Sequence, residues 1–429
     1  MQKIIIVGGG AGGLELATQL GHRYGRKGTA EITLVDRNRS HIWKPLLHEV
    51  ATGSLDINTD GVVYHAHAAR HGYNFQLGEF CGLDPDQKTI TLKPTHDESG
   101  QQVLPERTLS YDTLVMAIGS VSNDFGTPGV AEHCYFLDSH KQAERFHHGL
   151  LNNFMRINQQ AHDGQLHIAI VGGGATGVEL SAELYHVTDL LKSHGMPNMT
   201  AKQLKITLIE AGPRILPALP DRIALAARQA LVKLGVEVRE NVRVQSASGE
   251  GFETSEGELI PADMMIWAAG VKAPDFLADL DVFELTRNNQ IIVRPTLQSK
   301  KHDDIYVIGD CCGCEQPDGS WVPPRAQSAH QMASQVKQNI ALTLKGQAQK
   351  PYIYKDHGSL VNLSRYSTVG SLMGNLTGDN MFIEGKLARV VYMSLYRMHQ
   401  IAIHGWTKAM LVMVAEKIGK VVRPKMKLH

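Results

Sequence analysis

The chain has 429 residues, more than one ordinary hydrophobic core holds, so we expect two or three domains. Its residues are 43% hydrophobic and 20% charged, which is the composition of a globular protein. The formal net charge is zero, yet nine basic residues and one acidic residue lie from Lys386 onward. A basic tail therefore follows an acidic body. We expect no nucleic-acid partner.

The cysteines and the apolar runs indicate in which cellular compartment the protein lies. Five cysteines, mostly clustered, argue against the disulfide framework of a secreted protein. The first predicted strand begins at Ile4, which leaves no room for a signal peptide. The longest apolar run near the C-terminus, 409–415, is far shorter than the ~20 residues of a membrane span. We expect a cytoplasmic protein whose tail can touch a membrane.

Two glycine-rich loops lie between predicted strands and predicted helices. The first, Gly8–Gly13, follows the apolar run at 4–7, and the second, Gly172–Gly177, follows the run at 168–171. Further along the chain, a second apolar run follows each loop and ends in an acidic residue, Asp36 after the first loop and Glu210 after the second. One glycine loop is a weak signal, but two complete strand–loop–helix–strand–acid units predict two bound dinucleotides.

The loop residues have separate tasks in this motif. The first glycine permits the tight turn, the second lets backbone approach a pyrophosphate, and the third lets the helix pack on the strand. The helix N-terminus then faces the phosphates. The acids can accept hydrogen bonds from ribose hydroxyls, and at Glu210 this favours NADH, because a 2′-phosphate would meet like charge. An exposed strand-end residue is the alternative for either acid. The candidate contacts are Gly8, Gly10, Gly12, Gly13 and Asp36 in the first unit, and Gly172, Gly174, Gly177 and Glu210 in the second.

Buried strands that run into glycine turns extend the duplication. Such turns end the segments 114–119 and 264–270, and a third strand ends in Gly309-Asp310. The simplest topology inserts the second domain into the first. We therefore predict an α/β fold of two Rossmann-like domains, followed by an amphipathic-helical region. The predicted domains are 1–120 with 286–345, 121–285, and a C-terminal region at 346–429.

Together these elements resemble the two-dinucleotide flavoprotein family. The resemblance is carried by the two loops, the two acids, the turn Ala117–Gly119 and the pair Gly309-Asp310, and it covers roughly residues 1–340. It implies non-covalent FAD at the first loop and NAD(P)H in the inserted domain. It also places Ala117, Gly119, Gly309 and Asp310 at the flavin and Gly270 at the nicotinamide dinucleotide.

Missing thiols narrow the choice within that family. Disulfide reductases carry a Cys-x4-Cys pair shortly after the first acid, but the segment 43–50 has no cysteine. Cys134 stands alone in the second domain, and the cluster Cys311, Cys312 and Cys314 has no partner there. We therefore expect no thiol chemistry. A Cu(I) site at the cluster is an alternative to plain packing, but we assign no metal.

Three further segments resemble the type II, non-proton-pumping NADH:quinone oxidoreductases of bacterial respiration. They are 44–53, 326–331 and 395–405, and with them the resemblance covers the whole chain. In that family the segment beginning at Ala326 opens a helix beside the flavin and lines the quinone site. Gln327, with His330 or Gln331, is then the candidate contact to the quinone head group. A polar helix surface is the alternative.

The resemblance also assigns roles to two residues outside the loops. A family glutamate occupies the position of Glu179, near the contact of nicotinamide and flavin, where it can orient NADH or relay protons. A helix-surface glutamate is the alternative, and it is favoured for Glu183. Lys44 is a candidate contact to the flavin phosphates or ring edge, with a solvated lysine as the alternative.

The tail predicts helices that lie in the plane of a membrane. Apolar residues recur at helical spacing from Leu387 to Val422, with a break near Gly405, and Tyr396 and Trp406 are candidate interface anchors. The basic charge favours anionic lipid of the inner leaflet over the alternative, a dimerisation or core-packing helix pair. A membrane quinone as substrate also requires contact with the bilayer. We therefore predict a peripheral protein at the cytoplasmic face of the bacterial inner membrane.

The predicted reaction is NADH oxidation with transfer of a hydride to flavin N5 and of two electrons to a membrane quinone. One alternative is a related FAD reductase with another acceptor, of the sulfide:quinone or ferredoxin type. Another is a flavin redox sensor that binds NADH without useful turnover.

Overall fold

The computed structural model describes residues 1–55, 61–97, 99–159, 164–193, 196, 198, 200–363, 367–373, 380–384 and 396–422. The chain divides into two compact units. The first comprises Met1–Trp43, Gly61–Val121 and Val271–Lys355, and the second comprises Lys44–Asp60, Ser122–Gly270 and Asp356–His429. These bounds depart from the predicted domains at Lys44–Asp60, a segment adjacent in sequence to the first nucleotide unit. They also place 271–285 and 346–355 in the first unit, and they join Asp356–His429 to the second unit, where a separate C-terminal region was predicted.

Ten strands form the two principal sheets. In chain order they are β1 (Gln2–Val7), β2 (Ala30–Asp36), β3 (Asn74–Leu77), β4 (Thr113–Met116), β5 (Cys134–Tyr135), β6 (Leu166–Val171), β7 (Leu204–Ile209), β8 (Glu237–Arg239), β9 (Met264–Trp267) and β10 (Ile305–Val307). The first unit has the order β10-β4-β1-β2-β3, and the second has β5-β9-β6-β7-β8. Every pairing in both sheets is parallel. The predicted return of the chain to the first sheet, through β10, is confirmed.

Helices cover these sheets and connect them. In chain order they are α1 (Ala11–Leu20), α2 (Leu47–Thr52), α3 (Tyr64–His71), α4 (Val130–His133), α5 (His140–Gln159), α6 (Ala175–Ser193), α7 (Asp221–Leu234), α8 (Phe276–Asp279), α9 (Ala326–Thr343) and α10 (Trp406–Val422). Helix α2 packs against α5 and α6, which explains why Lys44–Asp60 belongs to the second unit.

Smaller sheets occupy the remaining segments. One in each unit is a three-stranded antiparallel sheet, and a third follows at the C-terminal end of the second unit. Their strands are Phe80–Asp84, Thr89–Leu92 and Arg107–Ser110; Val244–Ser248, Gly251–Thr254 and Leu259–Pro261; and Gly358–Leu363, Ser367–Met373 and Asn380–Glu384. Two-stranded pairings join Ser40–His41 with Val62–Val63, Thr95–His96 with Gln102–Leu104, and Ile291–Ile292 with Cys312–Gly313.

The core of each unit forms around its loop-bearing strand. Residues Ile4–Val7 of β1 are at most 3% exposed, and Ile168–Ile170 of β6 are at most 1% exposed. Such continuous burial is expected of a parallel strand covered on both faces, and it explains why both strands are apolar runs without alternation. The two loops therefore start from rigid supports.

The tail is helical where the structure describes it. Residues 396–404 form one helix, Gly405 has a left-handed φ of +80°, and α10 follows at once. The predicted break near Gly405 is confirmed. The tail residues 385–395 and 423–429, which carry part of the predicted apolar stripe and basic charge, lie outside the described residues. No helix in the described ranges is long and apolar enough to span a bilayer.

Candidate functional site

Two glycines of the first loop, Gly8 and Gly13, stand where a side chain would overlap the backbone. Gly8 has a φ of +104°, and a Cβ there would overlap the carbonyl oxygen of Ala117. A Cβ on Gly13 would overlap the carbonyl oxygen of Gly8, so α1 approaches the loop as closely as backbone permits. In contrast, a Cβ on Gly10 would meet no atom of the described residues within 4 Å, apart from its own chain neighbours. The space beside Gly10 is thus left open for a ligand.

The second loop repeats this construction. Gly172 has a φ of +113°, and a Cβ there would lie 2.7 Å from the carbonyl of Ala268. A Cβ on Gly177 would overlap the oxygen of Gly172, whereas one on Gly174 would have nothing within 4 Å. Both loops therefore fit the pyrophosphate of a dinucleotide at a helix N-terminus.

The two acids fix the loops through charge-assisted hydrogen bonds. Gly9 N donates to Asp36 Oδ2 at 2.7 Å, and Gly173 N donates to Glu210 Oε2 at 2.8 Å. The other carboxylate oxygens accept from backbone N–H groups of Asn38 at 2.7 Å and of Gly212 at 2.7 Å. Each ionised carboxylate has about four lone-pair sites, so capacity remains for ribose hydroxyls.

The other residues expected at a flavin, apart from Lys44, also lie in the first unit. Asp310 Oδ2 accepts a hydrogen bond from Ser120 Oγ at 2.7 Å, and Gly119 and Gly309 have positive φ values of +73° and +76°. A Cβ on Gly12 would lie 3.0 Å from the carbonyl oxygen of Ala329, so α9 packs directly on α1. Ala326 and Gln327 form the first turn of α9.

Helix α9 gives different environments to its three candidate quinone residues. Gln327 is half-buried on the first turn. His330 Nδ1 is hydrogen-bonded to Glu15 Oε2, a buried carboxylate on α1. The Gln331 amide bonds the backbone of Lys355 at both ends, at 2.8 Å and 3.0 Å. Gln331 therefore anchors a chain segment through both ends of its amide.

An open cavity of about 340 Å³ in the first unit lies beside this helix. Its lining includes Glu15, His330, Gln331, Gln335 and Tyr352. The Glu15–His330 pair forms part of its wall, and amide side chains form much of the rest.

Glu179 is a buried carboxyl group in the second unit. Its Oε1 accepts a hydrogen bond from Asn362 N at 2.9 Å, and its Oε2 lies 3.8 Å from His48 Nδ1. Burial raises the pKa of Glu179 to about 8, with smaller contributions from Glu49 and Glu183. Burial also lowers the pKa of His48. Both groups are driven to their neutral forms, so the pair is not an ion pair at neutral pH.

The helix-surface alternative is wrong for both glutamates of α6. Glu179 is 6% exposed and Glu183 is 5% exposed. Glu183 Oε1 accepts a hydrogen bond from Ser54 Oγ at 2.5 Å. The i, i+4 spacing identified one helical face but did not show that the segment at 44–55 covers it.

Lys44 belongs to the second unit. Its Nζ lies 4.0 Å from Asp138 Oδ1, and its side chain is 43% exposed. The Lys44 side chain is therefore partly exposed to solvent, as the alternative predicts. Its contact to the flavin stays a prediction.

All five cysteines are free thiols. Burial raises the pKa of Cys311 to about 12 and that of Cys314 to about 11, so the nucleophilic thiolate is disfavoured. Cys311, Cys312 and Cys314 pack in the interior of the first unit. Within the described part of the chain, no group of three His, Cys, Asp or Glu residues could hold a metal ion.

Sequence reasoning missed several residues of these surroundings, including Glu15, His48 and Asn362. A signal existed for Glu15, which follows Gly8 by the same number of residues as Glu179 follows Gly172. The others come from segments distant in sequence, and no local pattern marks them.

Two Rossmann-like sheets, each with a carboxylate-locked glycine loop, define a class of oxidoreductase that holds two dinucleotides. A family model described as pyridine nucleotide-disulphide oxidoreductase matches residues 2–333. The chain is 43% identical to a type II NADH:quinone oxidoreductase of Haemophilus influenzae over 100% of both chains. The chain therefore belongs to the type II NADH:quinone oxidoreductases within the pyridine nucleotide-disulphide oxidoreductase family.

Two further comparisons extend this result. The chain is 28% identical to a type II NADH:quinone oxidoreductase of Staphylococcus aureus, over 87% of this chain and 90% of that one. The structure of NDH2 from Plasmodium falciparum in complex with NADH superposes with a TM-score of 0.83 at 19% identity, covering 99% of this chain and 100% of that chain. At that identity the superposition shows the shared fold.

Proposed function

We propose that the protein oxidises NADH and reduces a membrane quinone, with non-covalent FAD at the first loop. The observation that carries the proposal is the pair of equivalent loops, since each leaves space for a pyrophosphate and presents a carboxylate for a ribose. When bound, the flavin accepts a hydride and passes two electrons onward. The protein positions both nucleotides, and its buried thiols stay out of the reaction.

Glu210 is the residue that we expect to select NADH over NADPH. Its carboxylate is fixed by the N–H groups of Gly173 and Gly212, so it cannot swing away from an incoming 2′-phosphate. Like charges in such proximity disfavour binding.

Glu179 is the residue that we expect to hold a proton. Oxidation of NADH by a quinone transfers one hydride and consumes one proton for each quinol formed. A carboxyl group with a pKa of about 8 is protonated at neutral pH and can release its proton. Gln327 is the proposed contact to the quinone head group, with His330 held by Glu15 one turn further along α9.

The tail is proposed to dock on the cytoplasmic face of the bacterial inner membrane. Among its described side chains, helix α10 exposes these large apolar ones: Trp406, Met410, Leu411, Val414 and Ile418. At 100° per residue these lie within an arc of about 140°, and buried Ala409 lies outside it. An apolar arc with basic flanks is typical of a helix in the plane of an anionic leaflet.

Steady-state loss of NADH absorbance with a short-chain quinone tests the reaction. We expect oxidation by the FAD-loaded protein to depend on quinone concentration and to be slower with NADPH. No quinone-dependent oxidation would overturn the proposal. Turnover only with ferredoxin or with sulfide would favour another acceptor or donor, and tight NADH binding without any turnover would favour a sensor.

Flotation with lipid vesicles tests the tail. We expect the full-length protein to float with vesicles containing phosphatidylglycerol and Leu411→Glu to remain unbound. Leu225→Glu is the matched control, because Leu225 is a 56% exposed leucine on α7. Equal flotation of both variants would remove the role of α10. Loss of a dimer in Leu411→Glu, with flotation intact, would instead favour the dimerisation alternative.

A further inference from the structure

Phe125 combines two unusual properties. Its side chain is 66% exposed, and its backbone φ is +54°, in the left-handed region that side chains rarely adopt. A bulky residue in this region costs on the order of 1–3 kcal/mol and persists only when its surroundings impose it. Because an exposed ring recovers little of that cost through burial, packing within the protein does not explain the residue.

The loop around Phe125 is held in place by hydrogen bonds. Phe125 N donates to Asn123 Oδ1 at 2.9 Å, and Gly126 N donates to Asp124 Oδ1 at 3.1 Å. Trp267 Nε1, at the end of β9, donates to Asn123 O at 2.8 Å. The backbone that carries the ring is therefore held in place, although most of the ring surface is accessible.

The ring lies against Gly270, just beyond β9. A Cβ on Gly270 would come within 2.6 Å of Phe125 Cζ and 2.9 Å of Phe125 Cε2. Gly270 itself has a φ of +70°. The close approach of ring and backbone thus depends on a glycine at position 270. The family resemblance implies that Gly270 contacts the nicotinamide dinucleotide.

Strand order says which part of a dinucleotide would pass this point. The order is β9-β6-β7, with Glu210 after β7 and the glycine loop after β6. Ligands of such sheets lie across the carboxyl ends of the strands. With the adenosine ribose at Glu210 and the pyrophosphate at Gly172–Gly174, the nicotinamide half continues toward β9 and Gly270.

We propose that the exposed ring of Phe125 packs against the nicotinamide ring of NADH and fixes its position. This inference rests on the proposed function, because it takes NADH as the ligand of the second loop. A rigid aromatic face offers a planar heterocycle a large contact area at low entropic cost. The backbone strain is then explained by the location that the ring must occupy.

Equilibrium titration of the FAD-loaded protein with NAD⁺ and with ADP-ribose tests the inference. ADP-ribose lacks the nicotinamide ring but keeps the rest of the dinucleotide. For Phe125→Gly we expect NAD⁺ to bind about three- to ten-fold more weakly and ADP-ribose to bind unchanged. Phe125→Tyr should retain wild-type affinity for both ligands.

The choice of glycine separates a functional role from a structural one. Glycine adopts a φ of +54° without strain, so the fold does not need the phenyl ring to keep this loop. Leu225→Ala, at an exposed apolar side chain on α7, is the matched control and should bind both ligands normally. Unchanged NAD⁺ affinity in Phe125→Gly would overturn the inference, as would equal weakening of both ligands.

The same titration distinguishes failure of the proposed function from failure of the inference about Phe125. Wild-type protein that binds NAD⁺ but turns over no quinone contradicts the proposed function and leaves the Phe125 test valid. Wild-type protein that binds neither ligand overturns both. In steady state, Phe125→Gly should raise KM for NADH more than it lowers kcat.

Discussion

The two glycine loops have equivalent carbonyl groups, on Gly9 and Gly173, that accept hydrogen bonds from different kinds of donor. In the first unit, Tyr64 OH donates to Gly9 O at 2.7 Å, and His41 Nδ1 lies 2.9 Å from that oxygen. In the second unit, Leu216 N donates to the equivalent oxygen of Gly173 at 2.7 Å. A buried carbonyl must be paired, and the duplicated units meet this need with side chains in one case and with backbone in the other. Among the hydrogen bonds to these two carbonyls, therefore, only those in the first loop can be removed by changing a side chain.

The helices after the loops show a second divergence. Glu15 on α1 and Glu179 on α6 occupy equivalent positions, and both are buried. Glu15 is hydrogen-bonded directly to His330, whereas Glu179 stands 3.8 Å from His48 and burial raises its pKa to about 8. Glu15 therefore fixes α9 through His330, whereas Glu179 is suited to hold a proton.

The largest effect is expected from the first glycine of each loop. Gly8→Ala and Gly172→Ala place a Cβ against backbone at a φ above +100°, so we expect each to lower the free energy of unfolding by at least about 3 kcal/mol. Soluble yield and thermal melting check this. Wild-type melting of either variant would show that the loops relax and that their shared geometry is not required.

The middle glycines test the ligands without testing the fold. In the described part of the chain, the Cβ of Gly10→Ala or Gly174→Ala has nothing to overlap, so stability should stay within about 1 kcal/mol of wild type. We expect Gly10→Ala to lose FAD on purification and Gly174→Ala to retain FAD but bind NADH at least about ten-fold more weakly. Flavin absorbance and NADH titration distinguish them. A reversed outcome would exchange the assignments of the two loops.

The pKa of Glu179 predicts a pH dependence of stability. Because the folded-state pKa is raised to about 8 from 4.5, the folded protein keeps a proton that the unfolded chain releases over that range. Stability contributed by this group is therefore present below pH 4.5 and is lost as pH rises toward 8, by up to about 1.4 kcal/mol per pH unit. Glu179→Gln, which stays neutral, should gain melting temperature relative to wild type between pH 5 and pH 8.

An exposed glutamate supplies the control for this measurement. Glu132→Gln changes the same chemical group on the surface of α4 and should follow the wild-type melting profile. A melting difference between Glu179→Gln and wild type that does not change with pH would contradict a proton held by Glu179.

Sequence alone predicted the parts of the fold that depend on local pattern. The strands β1, β6, β4 and β9, the glycine turns and the helix α9 are set by apolar runs and by backbone conformations that few residues adopt. The return of the chain through β10 followed from topology. The placement of Lys44–Asp60 did not, because it depends on packing of α2 against α5 and α6, which leaves no periodic signal.

The candidate site divides in the same way. Asp36 and Glu210 were predictable because a strand end fixes their position next to a loop. The partners His48 and Asn362 of Glu179 were not, since they reach it from segments more than 100 residues distant. Burial of Glu179, and hence its raised pKa, is a tertiary property that helix spacing does not contain.

The smallest expected effect tests the difference between the loops most directly. Tyr64→Phe removes the hydroxyl that donates to Gly9 O but keeps the ring stacked on Phe75 at 4.9 Å. One net hydrogen bond contributes about 1 kcal/mol, so the FAD dissociation constant should rise about three- to five-fold. Tyr73→Phe is the matched control, because it loses a hydroxyl that is 2.8 Å from His67 Nδ1. NADH affinity should be unchanged in both variants, because the second loop holds its carbonyl through backbone. Equal loss of FAD from both variants would mean that general stability, and not the pinned carbonyl, controls flavin retention.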